Sequence, residues 1–287
     1  MGLLRSLAEQ VDVGIDVVVV DAGSEPSTFY ANLISGAIKS LKVVPFAADG
    51  PEFNFSAKVN AGIAAATTEI VVLLNDDLQP LTTRSIAALL SPLSDPKVGV
   101  VGAQLLFPDG SLQHAGVITG LARPPFHARH GIKVNNQRLQ LWLNGLREVS
   151  AIVGAVMAFK RSQWAMLKGF DESFAVEFND TDFCLRARDN GCLIIYQGAS
   201  LFMHLEKASR SQNGFALSIN NERGLFFERW HKKLKSDLVL DDPDIHPWLH
   251  INDVHQLLPN WYNSAFIEIH CRRLKLKSSK LFMELRK

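Results

Sequence analysis

Acidic residues stand where aliphatic runs end in this chain. "VVVVD" closes on Asp21, and "VVLLNDD" closes on the adjacent pair Asp76 and Asp77. Two like charges side by side repel, and one should hold its proton unless a cation or solvent intervenes. One reading of "NDD" is a strand-to-helix turn whose short polar side chains bond free backbone N–H groups. The other is a metal–phosphate site. Mg2+ and Mn2+ prefer hard oxygen ligands, and Mg2+ is commonly held by one or two carboxylates plus substrate phosphates. In a third acidic stretch, "FNDTDFCLRAR", Asn179 or Asp180 can cap a helix, with Asp182 favourable to the dipole in its first turn. The chemical alternative makes Asp180 a general base. His204 ends the apolar run "SLFM". It is either a satisfied polar residue at a strand end or the nitrogen of a mixed N/O shell suited to Mn2+. His114, in "DGSLQHAGV", divides in the same way between a structural role and contact with substrate.

The elements that must position these residues alternate as in a doubly wound α/β fold. "LLRSLAEQ" reads as a helix, "IDVVVVDAGS" as a strand, Tyr30–Ile38 as helical and "LKVVPF" as a short strand. Helical "NFSAKVNAGIAAAT" leads into the strand that ends in "NDD"; helix "TRSIAALLSPL" and strand "VGVVGAQLLF" follow. Runs aliphatic on both faces belong in the middle of a sheet. In open α/β sheets ligands bind beyond the carboxyl ends of the strands, where Asp21, Asp76 and Asp77 emerge. From Val117 to Arg147 the pattern weakens into what reads as one long loop, and such loops are usually functional or mobile. A strand and helix follow in "EVSAIVGAVMAFKRSQWAMLKGFDE", then a short helix closed by Gly191, two short strands in "CLIIYQGASLFMH" and the helix "NNERGLFFERWHKKL".

Composition narrows the classes. The 287 residues are 47% hydrophobic and 21% charged with a net charge of +1, which leaves no electrostatic footprint for nucleic acid. Cys184, Cys192 and Cys271 form no CxxC, so neither a disulfide framework nor a zinc site is indicated, and a reduced, cytoplasmic setting fits. "MGLLRSLAEQ" has no signal-peptide pattern, and no apolar run has the length to span a bilayer. The segment Cys271–Lys287 carries seven Lys or Arg against one Glu, interspersed with Leu and Phe. It is either a solvated helix end or a peripheral contact with anionic lipid at the inner face of the plasma membrane.

Taken together, "VVVVDAGS", "FNFSAKVNAG", "VVLLNDD", "PDGSLQHAG", "GFDESF", "FNDTDFCLRARDNG" and "HLEKASR" occur in the order seen in family 2 glycosyltransferases. The chain resembles the bacterial, rhamnosyltransferase-like members that build O-antigen and other surface polysaccharides, over about Leu3 to Arg229. The resemblance implies a GT-A fold: a Rossmann-like nucleotide half (about 1–110) and an acceptor half (about 111–230) on one mixed, mostly parallel sheet. A helical and irregular extension with the basic tail would fill 231–287. It further implies that Asp21 contacts the nucleotide base, Asp76 the ribose or diphosphate, and that Gly154 lies beside the donor sugar. Asp77 and His204 would serve Mn2+ or Mg2+, Asp180 would be the catalytic base, and Asp182 and His114 would be acceptor-side or supporting residues. The implied reaction is inverting transfer from a nucleotide-diphosphate sugar to a hydroxyl of a glycan or lipid-linked acceptor.

Family members usually open with a strand and a Pro-Thr-Tyr-Asn-like turn, whereas the first element here matches the helix that follows them. That difference is either a truncated start or a missing sheet strand, and a missing strand would leave neighbouring ladder groups unpaired. It motivates a second function class, a degenerate, non-catalytic relative that binds a nucleotide sugar or a partner. Retention of Asp77, Asp180 and His204 together favours the enzyme. A nucleotidyltransferase would need a glycine-rich basic loop that the sequence lacks.

Overall fold

The computed structural model describes residues 2–21, 34–46, 53–119, 125–133, 137–205 and 215–234. Residues 1–237 form one compact unit and 238–287 another. The second unit lies outside the described residues, and with it the tail 271–287.

Helix α1 (Gly2–Ala8) precedes strand β1 (Ile15–Asp21), which pairs in parallel with β2 (Ile38–Pro45). The helix expected up to Ile38 does not reach it: residues 34–37 form a turn at Gly36 (φ +57°) that leads directly into β2. Helix α2 (Phe55–Ala65) starts at Asn54, whose side-chain oxygen accepts the N–H of Ala57 at 2.9 Å. It packs on β1 at Gly62, where a Cβ would fall 2.7 Å from Val20 Cγ2.

The larger sheet has the order β3 (Ile70–Leu74), β10 (Val156–Lys160), β5 (Val98–Leu106), β11 (Leu193–His204), β4 (Leu78–Pro80), with β6 (Leu112–His114) on β5 and β9 (Leu146–Glu148) on β11. The long strands β5 and β11 are parallel, and β3 shares their direction because β10 is antiparallel to both β3 and β5. β5 is the buried centre, as its mostly apolar run requires, with only Gln104 polar within it. Helix α3 (Ser85–Leu90) adds Ile86 and Leu89 to the core that β5, β10 and β11 share.

Two expectations change. The stretch 117–147 is not one loop: it holds the hairpin β7 (Val117–Ile118)–β8 (Phe126–His127), helix α4 (Gln137–Asn144) and part of β9. Its elements are too short to show a period in sequence. The two strands expected in 192–204 are one, β11, whose register jumps between Gln197 and Leu201. The displaced residues are satisfied locally: Gly198 N–H donates to Gly145 O at 3.1 Å, and Ser200 Oγ to Ser85 O at 2.8 Å. Glycine is needed at 198, since a Cβ there would sit 1.8 Å from Leu143 O. Helix α5 (Arg161–Met166), α6 (Asn179–Asp189) and α7 (Phe215–Trp230) complete the unit.

The hydrogen bonds separate β1–β2 from the larger sheet, where one continuous sheet was expected. Asn75 N–H donates to Ala155 O and Arg161 N–H to Glu69 O, which turns the odd-numbered residues of β3 toward β10. The N–H and C=O groups of Val72 and Leu74 therefore point away from β10 and meet no backbone partner among the described residues. By the same logic, Phe46 N–H on Asp21 O turns Val18 and Val20 away from β2. Among the described residues, β1 and β3 thus each present a main-chain edge with no strand paired to it. In native-state hydrogen exchange the Val72 and Leu74 amides should exchange far faster than those of Val71 and Leu73; equal protection along β3 would show that a partner covers this edge.

Candidate functional site

The short strand β4 decides where the two carboxylates go. It pairs antiparallel with the end of β11, setting Leu78 opposite His204, and Leu205 N–H donates to Asp77 O at 3.0 Å. Asp77 and His204 are thereby adjacent. Asp77 Oδ1 lies 3.0 Å from His204 Nε2, with both side chains mostly buried. Asp76 turns out to solvent and makes no side-chain hydrogen bond among the described residues. The repulsion read from "NDD" is thus relieved by geometry: one acid hydrates and the other meets an imidazole.

The other ring nitrogen, His204 Nδ1, is 2.7 Å from Oε1 of Gln113, a buried residue of β6. A side-chain carbonyl oxygen can only accept, so Nδ1 carries the proton. In the neutral ring Nε2 then presents a lone pair to a carboxylate oxygen 3.0 Å away. Two acceptors facing each other require a proton or a metal cation between them. A divalent ion fits this pair: one nitrogen and one carboxylate oxygen suit Mn2+, with the remaining positions open to diphosphate oxygens or water. Among the described residues no cluster of three or more His, Cys, Asp or Glu side chains could hold an ion by itself.

Asp180 lies in the first turn of α6. The N-cap position belongs to Phe178, in the left-handed region at φ +62°, so neither Asn179 nor Asp180 caps the helix as expected. Asp180 Oδ2 accepts Gly154 N–H at 2.8 Å, and Oδ1 accepts Thr181 N–H at 2.6 Å and Thr181 Oγ at 3.2 Å. Burial raises its pKa above the usual carboxylate value, and these hydrogen bonds offset the rise only in part. The net direction leaves the Asp180 carboxylate more basic than a solvated aspartate. A Cβ on Gly154 would meet Asp180 Cβ at 3.4 Å and the Phe55 ring at 3.5 Å, ordinary contacts that the protein tolerates.

Asp182, two residues on, is fully buried and differently served. Arg186 Nε donates to its Oδ2 at 2.7 Å; Arg229 Nη1 and Trp230 Nε1 each donate to its Oδ1 at 2.9 Å. Glu222, also on α7, accepts the N–H groups of Val176 and Glu177 at 3.1 and 2.6 Å. The Phe178 ring stacks on Phe226 at 4.8 Å. Helix α7 therefore clamps the turn that carries Asp180 from both sides.

His114 is fully buried. Its Nε2 accepts Gly116 N–H at 3.3 Å, so its proton sits on Nδ1 and is donated to His127 Nδ1 at 3.1 Å. Burial, followed by the charges of His127 and Arg147, holds its pKa well below the ordinary histidine range. Its side chain reaches no open surface among the described residues. Asp21 is buried at the end of β1, where its carbonyl accepts Phe46 N–H. The structure thus joins Asp77 with His204, and Asp180 with Gly154. Gln113, Glu222, Arg229 and Trp230 escaped the sequence reading, because an isolated Gln, or a Glu on a helix, carries no spacing signal.

Replacing Asp182 with Ala removes the buried acceptor shared by Arg186, Arg229 and the Trp230 indole; Arg229 keeps Asp171 at 2.7 Å and Arg186 keeps Leu167 O at 2.6 Å, so the loss should be about 1–3 kcal/mol. Urea unfolding should show that loss. A change below about 1 kcal/mol would mean that α7 is not anchored through Asp182.

A family model described as "Glycosyltransferase like family 2" matches residues 3–224. The chain is 33% identical over 198 residues to the uncharacterized protein y4gI of Sinorhizobium fredii, covering 68% of this chain and 22% of that protein. It is 31% identical over 166 residues to the O-antigen biosynthesis protein RfbC of Myxococcus xanthus, covering 55% of this chain and 12% of that one. The chain thus spans less than a quarter of the length of either relative. Among solved structures it is similar to GalNAc-T7 with UDP, GalNAc and Mn2+ (TM-score 0.55, 15% identity, 94% of this chain and 50% of that one). It is also similar to the mannosyltransferase PcManGT of Pyrobaculum calidifontis with GDP-Man and Mn2+ (TM-score 0.52, 18% identity, 81% and 60%). At such identities the structural likeness establishes the fold, which is GT-A.

Proposed function

The chain belongs to the glycosyltransferase 2-like family, and from that premise we propose that it is a metal-dependent, inverting glycosyltransferase. It would move a sugar from a nucleotide-diphosphate donor to a hydroxyl of a glycan or lipid-linked acceptor in surface-polysaccharide synthesis. The observation that carries this reading is the facing pair Asp77 Oδ1 and His204 Nε2, a carboxylate oxygen and an imidazole nitrogen 3.0 Å apart in a GT-A fold. Mn2+ or Mg2+ held there would supply Lewis-acid stabilisation of the departing diphosphate. Asp180 accepts the proton of the acceptor hydroxyl as that oxygen attacks the anomeric carbon, from the face opposite the leaving group. Its raised pKa suits the task, since proton transfer is most effective when the base is matched to the working pH. In this reading Asp21 contacts the base, Asp76 the ribose or diphosphate, and Gly154 leaves room beside the donor sugar.

The setting that fits is the cytoplasm, where nucleotide sugars are held, with residues 271–287 as a contact for anionic membrane. The described residues contain no helix long and apolar enough to cross a membrane. A second reading, a non-catalytic nucleotide-sugar or partner-binding relative, is favoured by the open edges of β1 and β3.

Asp180→Asn separates the two readings. With a panel of nucleotide sugars and Mn2+, the variant should bind donor as wild type does but lose transfer by about 10²–10⁴-fold. Undiminished transfer would remove Asp180 from the base role, and binding without transfer in wild type would favour the second reading. The wild-type rate should fall as pH drops through the pKa of Asp180, because only the ionised form accepts a proton. That acid limb should lie above the ordinary carboxylate value of about 3.9. An acid limb at or below that value would contradict the assignment.

A further inference from the structure

We infer that Gln113 is a positioning residue for the cation site: its side-chain carbonyl selects the His204 tautomer that can bind metal. The inference rests on the metal reading above and deepens it. Gln113 is the middle residue of β6, whose three residues are all buried and whose backbone is hydrogen-bonded to β5. The residue is only 5% exposed.

Two tautomers of His204 compete. With the proton on Nε2, the imidazole would donate to Asp77 across 3.0 Å, and both groups would be spent on that hydrogen bond. With the proton on Nδ1, the ring donates to Gln113 Oε1 at 2.7 Å, and Nε2 turns a lone pair toward the Asp77 side, as a ligand would. The carboxylate favours the first state; the carbonyl of Gln113 favours the second. A partner that orients a ligating histidine through its other nitrogen commonly contributes 10–100-fold in metal affinity. Neither the identity of Gln113 nor its spacing from His204 hints at this in the sequence, since the two are 91 positions apart.

The test begins with metal-free wild-type protein, 15N-labelled at histidine, at pH 8. The His204 ring, assigned by comparison with His204→Gln, should show a protonated Nδ1 and an unprotonated Nε2. Protonation on Nε2 would overturn the inference. Mn2+ is then titrated by calorimetry in the presence of UDP, GDP or dTDP. Gln113→Leu should weaken Mn2+ binding by about 10–100-fold, and Gln113→Glu, which keeps an acceptor oxygen, should restore it to within a few-fold of wild type. Equal binding by wild type and Gln113→Leu would overturn the inference, as would equal loss in the Leu and Glu variants when both melt as wild type does. If wild type binds no Mn2+ with any of these nucleotides, the metal reading fails; the tautomer is still decided by the nitrogen shifts.

Discussion

The pairing of β4 with the end of β11 is the constraint on which the site depends. Three residues of backbone ladder bring together Asp77 and His204, 127 positions apart, and close the contact with the Leu205 N–H on Asp77 O. The same ladder throws Asp76 outward, so adjacent acids that would repel in a shared environment occupy different ones. The chain accepts an electrostatic tension here, a carboxylate facing an imidazole whose other nitrogen is already committed to Gln113. A proton or a cation between the two groups would relieve it, and the pair lies beyond the carboxyl end of β3, where α/β sheets bind ligands.

A second balance is struck along α6. Asp180, partly buried, and Asp182, fully buried, are separated by one residue, yet they are served by different donors. Asp182 receives two guanidinium groups and an indole, which hold α7 against α6 and use up its charge. Asp180 receives only amide and hydroxyl groups, too little to cancel the effect of burial. One aspartate is spent on structure and the other kept basic. Glu222 and the Phe178–Phe226 stack fix the turn between them, including the left-handed Phe178. A residue in that conformation persists only where its surroundings hold it there, and α7 supplies that support.

Much of this was legible in the sequence, and for identifiable reasons. Strands buried on both faces, such as β5, announce themselves as aliphatic runs, and α2 shows its start in Asn54. The carboxylates at the strand ends were visible as types, and the order of motifs gave the family. What could not be read was set by contacts distant in sequence. The continuity of β11 through Gln197–Leu201 depends on Gly145 and Ser85, which take up the hydrogen bonds of the bulge. The elements within 117–147 are too short to carry a period. The rise in the Asp180 pKa comes from its enclosure, while the sequence showed only its place at a helix N-terminus. Gln113 acquires meaning solely through the ring it touches.

The central claim is that Asp77 and His204 share a divalent cation with a nucleoside diphosphate. Pulsed electron paramagnetic resonance of Mn2+ bound together with UDP or GDP reads the nitrogen ligand directly. The account predicts 14N modulation from one directly coordinated imidazole, and its disappearance in His204→Ala. Mn2+ bound to the wild-type protein and nucleotide without nitrogen coupling would contradict it.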